Sequence, residues 1–212
     1  MTIIKIDKNK IDKEIISQLA DFLQQGKVIV YPTETFYGLG CDSTNIIAVK
    51  KVYQIKGRSF NKPLPVIVAS QAMLKTYFVI NSAAKKLIKK YLPGPLSLVL
   101  NYNEHGKKIF KKSINQKSFD GGVRISSNEI ATFLSKSLKK PITSTSANPS
   151  GRPSALDAPT VIKYFKNQKY QPDYIIDAGK LPKSKGSTFV DARDGEVKIL
   201  RQGDLKIDDL RF

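Results

Sequence analysis

The sequence contains no tryptophan and only one cysteine and one histidine in 212 residues. A single cysteine, Cys41, excludes an intrachain disulfide, and Cys41 with His105 cannot build a zinc site from cysteine and histidine ligands. A Cys-His dyad or a Ser-His-Asp triad would depend on His105, which lies in a predicted turn at 103–107. We therefore expect chemistry that relies on charge and positioning and not on a histidine relay.

Long apolar runs are also missing, since no stretch approaches the roughly 20 residues that a membrane-spanning helix needs. The N-terminus lacks the layout of a signal peptide. These two absences predict a cytoplasmic protein with no membrane partner. Hydrophobic residues make up 41% and charged residues 25% of the chain, which is ordinary for a globular protein of one large domain or two small ones.

Acidic residues are scarce: 18 Asp and Glu face 36 Lys and Arg, which gives a formal net charge of +18. Such a charge favours anionic partners such as nucleotides or RNA. The alternative is compositional, because lysine is the default cation here and most lysines then form only a solvated surface.

Arginine is rare by comparison, with six residues in the chain. Four of the six lie close to Gly, Ser or Pro, in "GRS", "VRIS", "GRPS" and "LRQG". The planar guanidinium group grips phosphate or carboxylate at two points, so these arginines are candidate anion contacts. Alternatively, some of them cap helices or pair with surface acids.

Hydrophobic periodicity predicts helices that alternate with short strands. The predicted helices, with their caps, lie near 11–25, 43–55, 71–78, 81–91, 128–138 and 157–166. The predicted strands lie near 28–31, 63–69, 96–100, 122–125, 141–144, 174–177, 188–191 and 197–200. Residues 101–120 are lysine-rich and weakly periodic, which predicts a long loop or flap. Several late strands are joined by connections too short for a helical crossover, so we predict one α/β domain over 1–212 with a mixed sheet.

Four segments at the ends of predicted strands carry hydroxyl, amide or cationic side chains: 32–35, 143–148, 185–188 and 201–203. Strand ends beside helix starts are where open α/β sheets bind ligands. Ser and Thr also cap helices and form turns, so each segment alone is equally compatible with a structural role. If the segments converge, their hydroxyl and amide groups could hold a small polar ligand.

The segment Lys56-Gly57-Arg58 follows a predicted helix, with Gly57 as its C-terminal stop. It either places two cations at the negative end of a helix dipole or forms a clamp for a triphosphate. The sequence contains neither a Gly-x-x-x-x-Gly-Lys-Ser/Thr loop nor a Gly-x-Gly-x-x-Gly motif. A nucleotide would therefore have to be held by scattered cations and hydroxyl groups.

Seven motifs occur in a characteristic order: "YPTETFYGLGCDS", "KGRSFNKPLPVIVA", "PGPLSLVL", "VRIS", "STSANPSGRPS", "GSTFVD" and "ILRQG". Together they resemble the threonylcarbamoyl-AMP synthase family, also called the YrdC-like family, over about residues 12–205. The resemblance implies the single-domain form of the YrdC-like fold: a twisted mixed parallel and antiparallel sheet, flanked by helices, with a basic concave cavity.

The same resemblance implies an activity. Family members are nucleotidyltransferases that form L-threonylcarbamoyladenylate and pyrophosphate from L-threonine, bicarbonate and ATP, for N6-threonylcarbamoyladenosine modification of tRNA at position 37. We expect Mg²⁺ to accompany ATP, no organic cofactor, no metal site of the protein's own, and a downstream threonylcarbamoyl transferase complex. Direct contact with tRNA or other RNA is a further expectation.

Two alternatives to this activity stay open on the sequence. One is a non-catalytic RNA-binding module that uses the same basic cavity. The other is a different acyl- or carbamoyl-transferring enzyme on the same fold.

Site residues follow from the resemblance, motif by motif. Contacts to threonine are implied for Thr33, Arg124, Ser144, Ser146 and Ser187. Contacts to ATP are implied for Lys56, Arg58, Asn148, Ser154 and Arg201. The expected catalytic residues are Lys56 and Arg58, which form the family's Lys-x-Arg and Ser-x-Asn tetrad with Ser146 and Asn148.

Neighbouring positions in the motifs have expected supporting roles. Glu34 is expected to be a hydrogen-bonding brace and not a base, while Gly38 and Gly40 allow close backbone packing. Two features depart from the family pattern: Ser59 replaces a usual proline, and Asp120-Gly121-Gly122 replaces a stretch that often carries a hydroxyl residue. No nucleotide contact is assigned to 120–122.

Overall fold

A computed structural model describes residues 1–8, 10–110, 113 and 120–207. Helices and short strands are interspersed along these residues. Their order is β1 (Thr2–Lys5), α1 (Lys13–Gln24), β2 (Ile29–Pro32), β3 (Tyr37–Gly40), α2 (Ile46–Lys56), β4 (Val66–Ile67), α3 (Gln71–Tyr77), α4 (Ser82–Tyr91), β5 (Leu96–Asn101), α5 (Glu104–Phe110), β6 (Asp120–Arg124), α6 (Glu129–Leu138), β7 (Ile142–Thr143), β8 (Thr145–Ser146), α7 (Ala158–Phe165), β9 (Tyr174–Asp177), β10 (Thr188–Asp191) and β11 (Lys198–Arg201). None of the helices in the described part of the chain is long and apolar enough to cross a bilayer.

The strands form two mixed sheets. The first has the order β1-β9-β2-β3-β8 and the second the order β11-β10-β5-β6-β4-β7. In the first, β2 pairs parallel with β9 and antiparallel with β3. In the second, β5 pairs parallel with β10 and antiparallel with β6. The predicted α/β class with mixed strand pairing is confirmed, but the strands are divided between two sheets where one was expected.

The division occurs within the predicted strand 141–144 and its continuation. β7 pairs antiparallel with β4 of the second sheet, whereas β8 pairs antiparallel with β3 of the first. Ser144 lies between the two strands, and its N–H donates to the carbonyl of Pro65 at 2.7 Å. A single extended segment, 142–146, therefore belongs to both sheets, and alternation of side chains does not reveal such a change of partner.

Both faces of the first sheet are covered. Val28 and Val30 point into the larger hydrophobic cluster, and Ile29 and Tyr31 point into a second cluster. The second cluster contains the apolar faces of α1 and α6, which pack against each other. Burial on both faces explains why the sequence around β2 is continuously apolar and does not alternate.

Three elements differ from the prediction. The pattern does not indicate β1, a mostly exposed edge strand, or β3, which two glycines interrupt. The turn predicted at 103–107 is wrong, because α5 occupies Glu104–Phe110. Asn103 stabilises the start of α5 by accepting the N–H of Gly106 at 2.8 Å. The rest of the predicted flap, 111–112 and 114–119, lies outside the described residues.

The glycines of β3 make room for the ring of Tyr31. A Cβ atom on Gly40 would lie 2.5 Å from that ring, and one on Gly38 would lie 3.1 Å from it. The Tyr31 hydroxyl donates to the carbonyl of Thr143 at 2.9 Å, which joins β2 to β7. Close backbone packing was expected at both glycines, but the nearest neighbour of each is the Tyr31 ring. Gly40 also has a backbone neighbour, the Thr143 carbonyl, which would lie 3.0 Å from an added Cβ atom.

Replacing Gly40 with alanine should lower the free energy of unfolding by about 1–3 kcal/mol, because the added methyl group must displace the Tyr31 ring. Gly38→Ala is the matched control, since the ring lies farther from the added atom at that position. Urea unfolding of both variants measures the difference. An equal loss of stability in the two variants would contradict the assignment of the close approach to Gly40.

Candidate functional site

The polar strand ends converge on one open cavity, called the main cavity here. Each of the four segments singled out in the sequence contributes to its wall. Eight of the ten predicted site residues line it: Thr33, Arg58, Arg124, Ser144, Ser146, Ser154, Ser187 and Arg201.

A second opening, the side cavity, adjoins the main cavity. It is lined by the two other predicted residues, Lys56 and Asn148. The two cavities share Arg58, Thr145 and Ser146 in their walls. All ten predicted residues therefore lie in one region, while their individual contacts to substrates stay predictions.

Arg124 is held at the end of β6 by a network of side chains. Its Nη1 forms an ion pair with Glu34 Oε1 at 3.0 Å, and both side chains are nearly buried. Nη1 also lies 3.4 Å from Thr35 Oγ1, and Nη2 lies 3.3 Å from Ser144 Oγ. The Ser126 hydroxyl donates to the other carboxylate oxygen of Glu34. Glu34 does not line the cavity, so this geometry fits the predicted bracing role behind Arg124.

The hydroxyl group of Thr33 is engaged within its own turn. It donates to the Phe36 carbonyl at 2.7 Å and accepts the N–H groups of Thr35 and Phe36, both at 3.1 Å. A hydroxyl group has one donor and two acceptor positions, so these bonds use its full capacity. Thr33 therefore shapes the turn that follows β2.

Several hydroxyl residues in the lining are not among the predicted residues, and Thr35 and Ser97 are the two that contact predicted ones. Thr35 lies within the quoted Pro-Thr-Glu-Thr motif, close to Arg124. Ser97 sits on β5 between two buried leucines and donates to Ser187 Oγ at 3.0 Å. A serine inside an otherwise apolar strand is the signal that could have identified Ser97.

Arg201 approaches the main cavity from β11. Its Nη2 donates to the Ser187 carbonyl at 2.8 Å, and its guanidinium group lies 4.7 Å from the centre of the Phe189 ring. Burial lowers the pKa of Arg201, and the positive charge of Arg124 lowers it further. Arginine nevertheless stays protonated in proteins, so the cavity holds two fixed positive charges on this side.

Arg58 is placed by the end of α2. Gly57 adopts a left-handed conformation with φ 57°, and the N–H of Arg58 then bonds to the Tyr53 carbonyl at 3.1 Å. The guanidinium group donates from Nε to the Lys62 carbonyl at 3.2 Å and from Nη2 to the Pro63 carbonyl at 3.3 Å. These bonds use two of five N–H groups, which leaves the rest directed at solvent and ligand.

The Lys56 side chain is placed differently from Arg58, although the two are neighbours in the motif. Lys56 is only 3% exposed. Its Nζ donates to the carbonyl of Ser146 and, at 2.9 Å, to the carbonyl of Asn148. Burial lowers the pKa of Lys56 to about 7, and the charge of Arg58 lowers it further.

Neither of the two departures from the family pattern, Ser59 and residues 120–122, lines the main cavity. Ser59 lines only the side cavity, where its hydroxyl accepts the N–H of Asn61 at 3.3 Å. Asp120 pairs with Arg193 at 2.6 Å, and residues 120–122 line neither cavity. Residues 120–122, to which no nucleotide contact was assigned, therefore form the first part of β6.

Neither cavity is lined by Asp or Glu among the residues that the structure describes. The described ranges also contain no group of three or more His, Cys, Asp or Glu side chains that could hold a metal ion. Divalent cations such as Mg²⁺ prefer oxygen ligands, above all carboxylates and phosphates. The cationic lining therefore fits an anion and does not fit a metal ion bound by side chains.

The single cysteine and the single histidine lie away from this lining. Burial raises the pKa of the Cys41 thiol to about 12, so it is not a thiolate at neutral pH. His105 lies on α5, with its ring 5.2 Å from the ring of Tyr77. The site can neutralise and orient anions, and its chemistry depends on arginine and hydroxyl groups.

A family model, Sua5_yciO_yrdC, described as "Telomere recombination", matches residues 21–203. The chain belongs to the Sua5/YciO/YrdC family. A protein of Methanocaldococcus jannaschii is 37% identical over 198 residues, which cover 93% of this chain and 90% of that protein. The threonylcarbamoyl-AMP synthase of Pyrococcus abyssi is 33% identical over 211 residues, which cover 99% of this chain and 60% of that protein.

Solved structures of the family share the fold. A crystal structure of P. abyssi Sua5 complexed with L-threonine superposes with a TM-score of 0.86 at 33% identity, covering 97% of this chain and 58% of that one. Escherichia coli YciO gives a TM-score of 0.83 at 26% identity, covering 98% of this chain and 97% of that one. The YrdC-like fold implied by the seven motifs is therefore confirmed.

Replacing Glu34 with alanine should lower the free energy of unfolding by about 3–5 kcal/mol, since it leaves the guanidinium group of Arg124 buried without its counter-charge. Glu34→Gln should cost less, because an amide oxygen still accepts from Ser126. The control is Glu104→Ala, which removes one carboxylate from an exposed ion pair with Lys107 and should change stability little. Denaturant unfolding measures all three variants, and equal losses for Glu34→Ala and Glu104→Ala would contradict the bracing role.

Proposed function

We propose that this family member is a threonylcarbamoyl-AMP synthase that forms L-threonylcarbamoyladenylate and pyrophosphate from L-threonine, bicarbonate and ATP. The observation that carries the proposal is the convergence of three arginines and several hydroxyl groups on one cavity. Two findings on P. abyssi proteins support it: the related synthase is named for this product, and the Sua5 structure holds L-threonine. The product would serve N6-threonylcarbamoyladenosine modification of tRNA at position 37.

The proposed reaction has two steps. The amine of threonine attacks bicarbonate, a C–N bond forms, and water leaves to give the N-carboxylate. An oxygen of that carboxylate then attacks the α-phosphorus of ATP, and the bond to the pyrophosphate leaving group breaks. Both steps bring anions together, so positive charge and orientation are what the protein must supply. No proton relay through histidine or cysteine is needed.

Threonine would bind beside Arg124, whose guanidinium group can pair with the substrate carboxylate. The contacts to Glu34, Thr35 and Ser144 already fix the orientation of that group. Hydroxyl groups of Ser146 and Ser187 lie in the same wall. Such preorganised donors bind without a further loss of side-chain freedom, which supports their assignment to the amino acid.

ATP would extend from the main cavity toward the side cavity, where Arg58 borders both spaces. Arg201 and Ser154 line the main cavity and are the other proposed nucleotide contacts. Lys62, which sequence reasoning did not assign, lines the side cavity and adds a cation there. ATP would arrive with Mg²⁺ on its triphosphate, so the ion belongs to the substrate and needs no carboxylate from the protein.

Partners and location are proposed on the same basis. A downstream threonylcarbamoyl transferase complex would consume the adenylate, and the reaction would take place in the cytoplasm. The alternative of a non-catalytic RNA-binding module is not favoured, because the related synthase is named as an enzyme. Incubation with ATP, bicarbonate and either L-threonine or another amino acid, with mass detection of the adenylate, distinguishes the synthase from other acyl- or carbamoyl-transferring enzymes.

Arg58→Ala should reduce formation of the adenylate by about 10²–10³-fold, because it removes a charged contact to the developing transition state. The matched control is Lys50→Ala, which removes one positive charge from an exposed position on α2, the helix that precedes Arg58. Release of pyrophosphate and mass detection of the adenylate measure both variants. Wild-type rates in Arg58→Ala would refute the assigned role.

A further inference from the structure

We propose that Lys56 is a positioning residue: it fixes the segment 146–150, which carries part of both cavity walls, and does not bind the phosphates of a nucleotide. This proposal rests on the proposed function, because the ligands used to test it, ATP and L-threonine, are the substrates proposed above. It divides the Lys-x-Arg and Ser-x-Asn tetrad into two pairs. Lys56 and Asn148 hold the site together, while Arg58 and Ser146 face the ligand.

The first argument is the hydrogen-bonding capacity of the ammonium group. Lysine has three N–H donors and no acceptor. Lys56 Nζ donates to the Ser146 carbonyl, to the Asn148 carbonyl at 2.9 Å and to Asn148 Oδ1 at 3.5 Å. All three acceptors belong to one short segment. A phosphate could contact this nitrogen only after at least one of these buried carbonyl groups had lost its partner, which is costly.

The second argument is that the main chain of Lys56 binds the same segment. The Lys56 carbonyl lies at the C-terminus of α2 and accepts the N–H of Ser150 at 2.8 Å. Helix C-termini leave carbonyl groups without intrahelical partners, and this bond satisfies one of them. Both ends of Lys56 therefore tie α2 to the segment 146–150.

The third argument concerns Asn148, the other member of the holding pair. Its Oδ1 accepts from Lys56, and its Nδ2 donates to the carbonyls of Pro149 and Arg152. Both amide N–H donors are thus used within the loop that follows β8. Asn148 is 6% exposed and lines only the side cavity, so its side chain closes the loop and does not extend toward the main cavity.

The electrostatics point in the same direction. Burial and the charge of Arg58 lower the pKa of Lys56 to about 7, so its amine is only partly protonated at neutral pH. A neutral amine still has two N–H donors, so bonds to the carbonyl groups persist in either form. Arg58, by contrast, keeps three N–H groups beyond its two carbonyl bonds.

The decisive variant is Lys56→Arg, which keeps the positive charge but replaces a compact ammonium group with a larger planar one. If Lys56 fixes the segment, the variant should bind L-threonine at least tenfold more weakly, because Ser146 shifts with the segment. If Lys56 binds phosphate, threonine affinity should be unchanged, since Lys56 does not line the main cavity. Titration calorimetry with L-threonine alone and with ATP alone measures both affinities.

The comparison variant is Lys56→Gln, which loses the charge but keeps two N–H donors for the carbonyl groups. It should retain ATP affinity within a few-fold of the wild type. A loss of more than tenfold in ATP affinity, with threonine affinity unchanged in both variants, would overturn the proposal. Should Lys56→Arg fail to fold, the ATP affinity of Lys56→Gln alone decides between the two roles.

A stability measurement separates this inference from the proposed function. Lys56→Arg should lower the melting temperature clearly, whereas Lys50→Arg, the same change at an exposed position of the same helix, should not. If the wild-type protein binds neither ATP nor L-threonine, the proposed function fails, and the melting temperatures still test whether Lys56 holds the segment. Equal melting temperatures for the two variants would contradict the holding role.

Discussion

The site depends on the segment 142–148, whose extended part, 142–146, is shared by two sheets and which is fixed by buried hydrogen bonds. The Tyr31 hydroxyl bonds to the Thr143 carbonyl from β2, and Lys56 bonds to the carbonyls of Ser146 and Asn148 from α2. Buried polar groups that lose their partners are costly, so this segment has little freedom to move. Hydroxyl groups on the segment consequently reach the cavity in a defined orientation.

The second constraint is the cost of gathering cations in a partly enclosed space. Each arginine of the main cavity is held by a neighbour: Arg124 by Glu34, Arg201 by the Ser187 carbonyl, and Arg58 by carbonyls of the following loop. Only Arg124 has a carboxylate partner among these contacts. Arg58 and Arg201 have no carboxylate partner in the part of the chain that the structure describes, so an anionic ligand can neutralise their charge. This links the packing of the loops to the proposed adenylate chemistry.

Much of this organisation was predictable from local patterns. Apolar periodicity located the helices, and the four polar strand ends were identified before their convergence was known. Prediction failed where tertiary contacts decide the structure. β3 forms because its glycines accept the Tyr31 ring, and α5 forms in a segment with weak periodicity. Both outcomes depend on contacts with other elements, since β3 packs against Tyr31 of β2 and α5 packs against α3.

The sequence by itself determined the class of fold, the family motifs and the types of side chain available, because these follow from composition, spacing and periodicity along the chain. The tertiary structure decided which of those side chains face a ligand. Lys56 and Arg58 are two positions apart and both cationic, yet one is enclosed by three acceptors and the other borders both cavities. The distinction arises because hydrogen-bond partners contributed by residues about 90 positions away occupy the ammonium group of Lys56, and no local pattern encodes such partners.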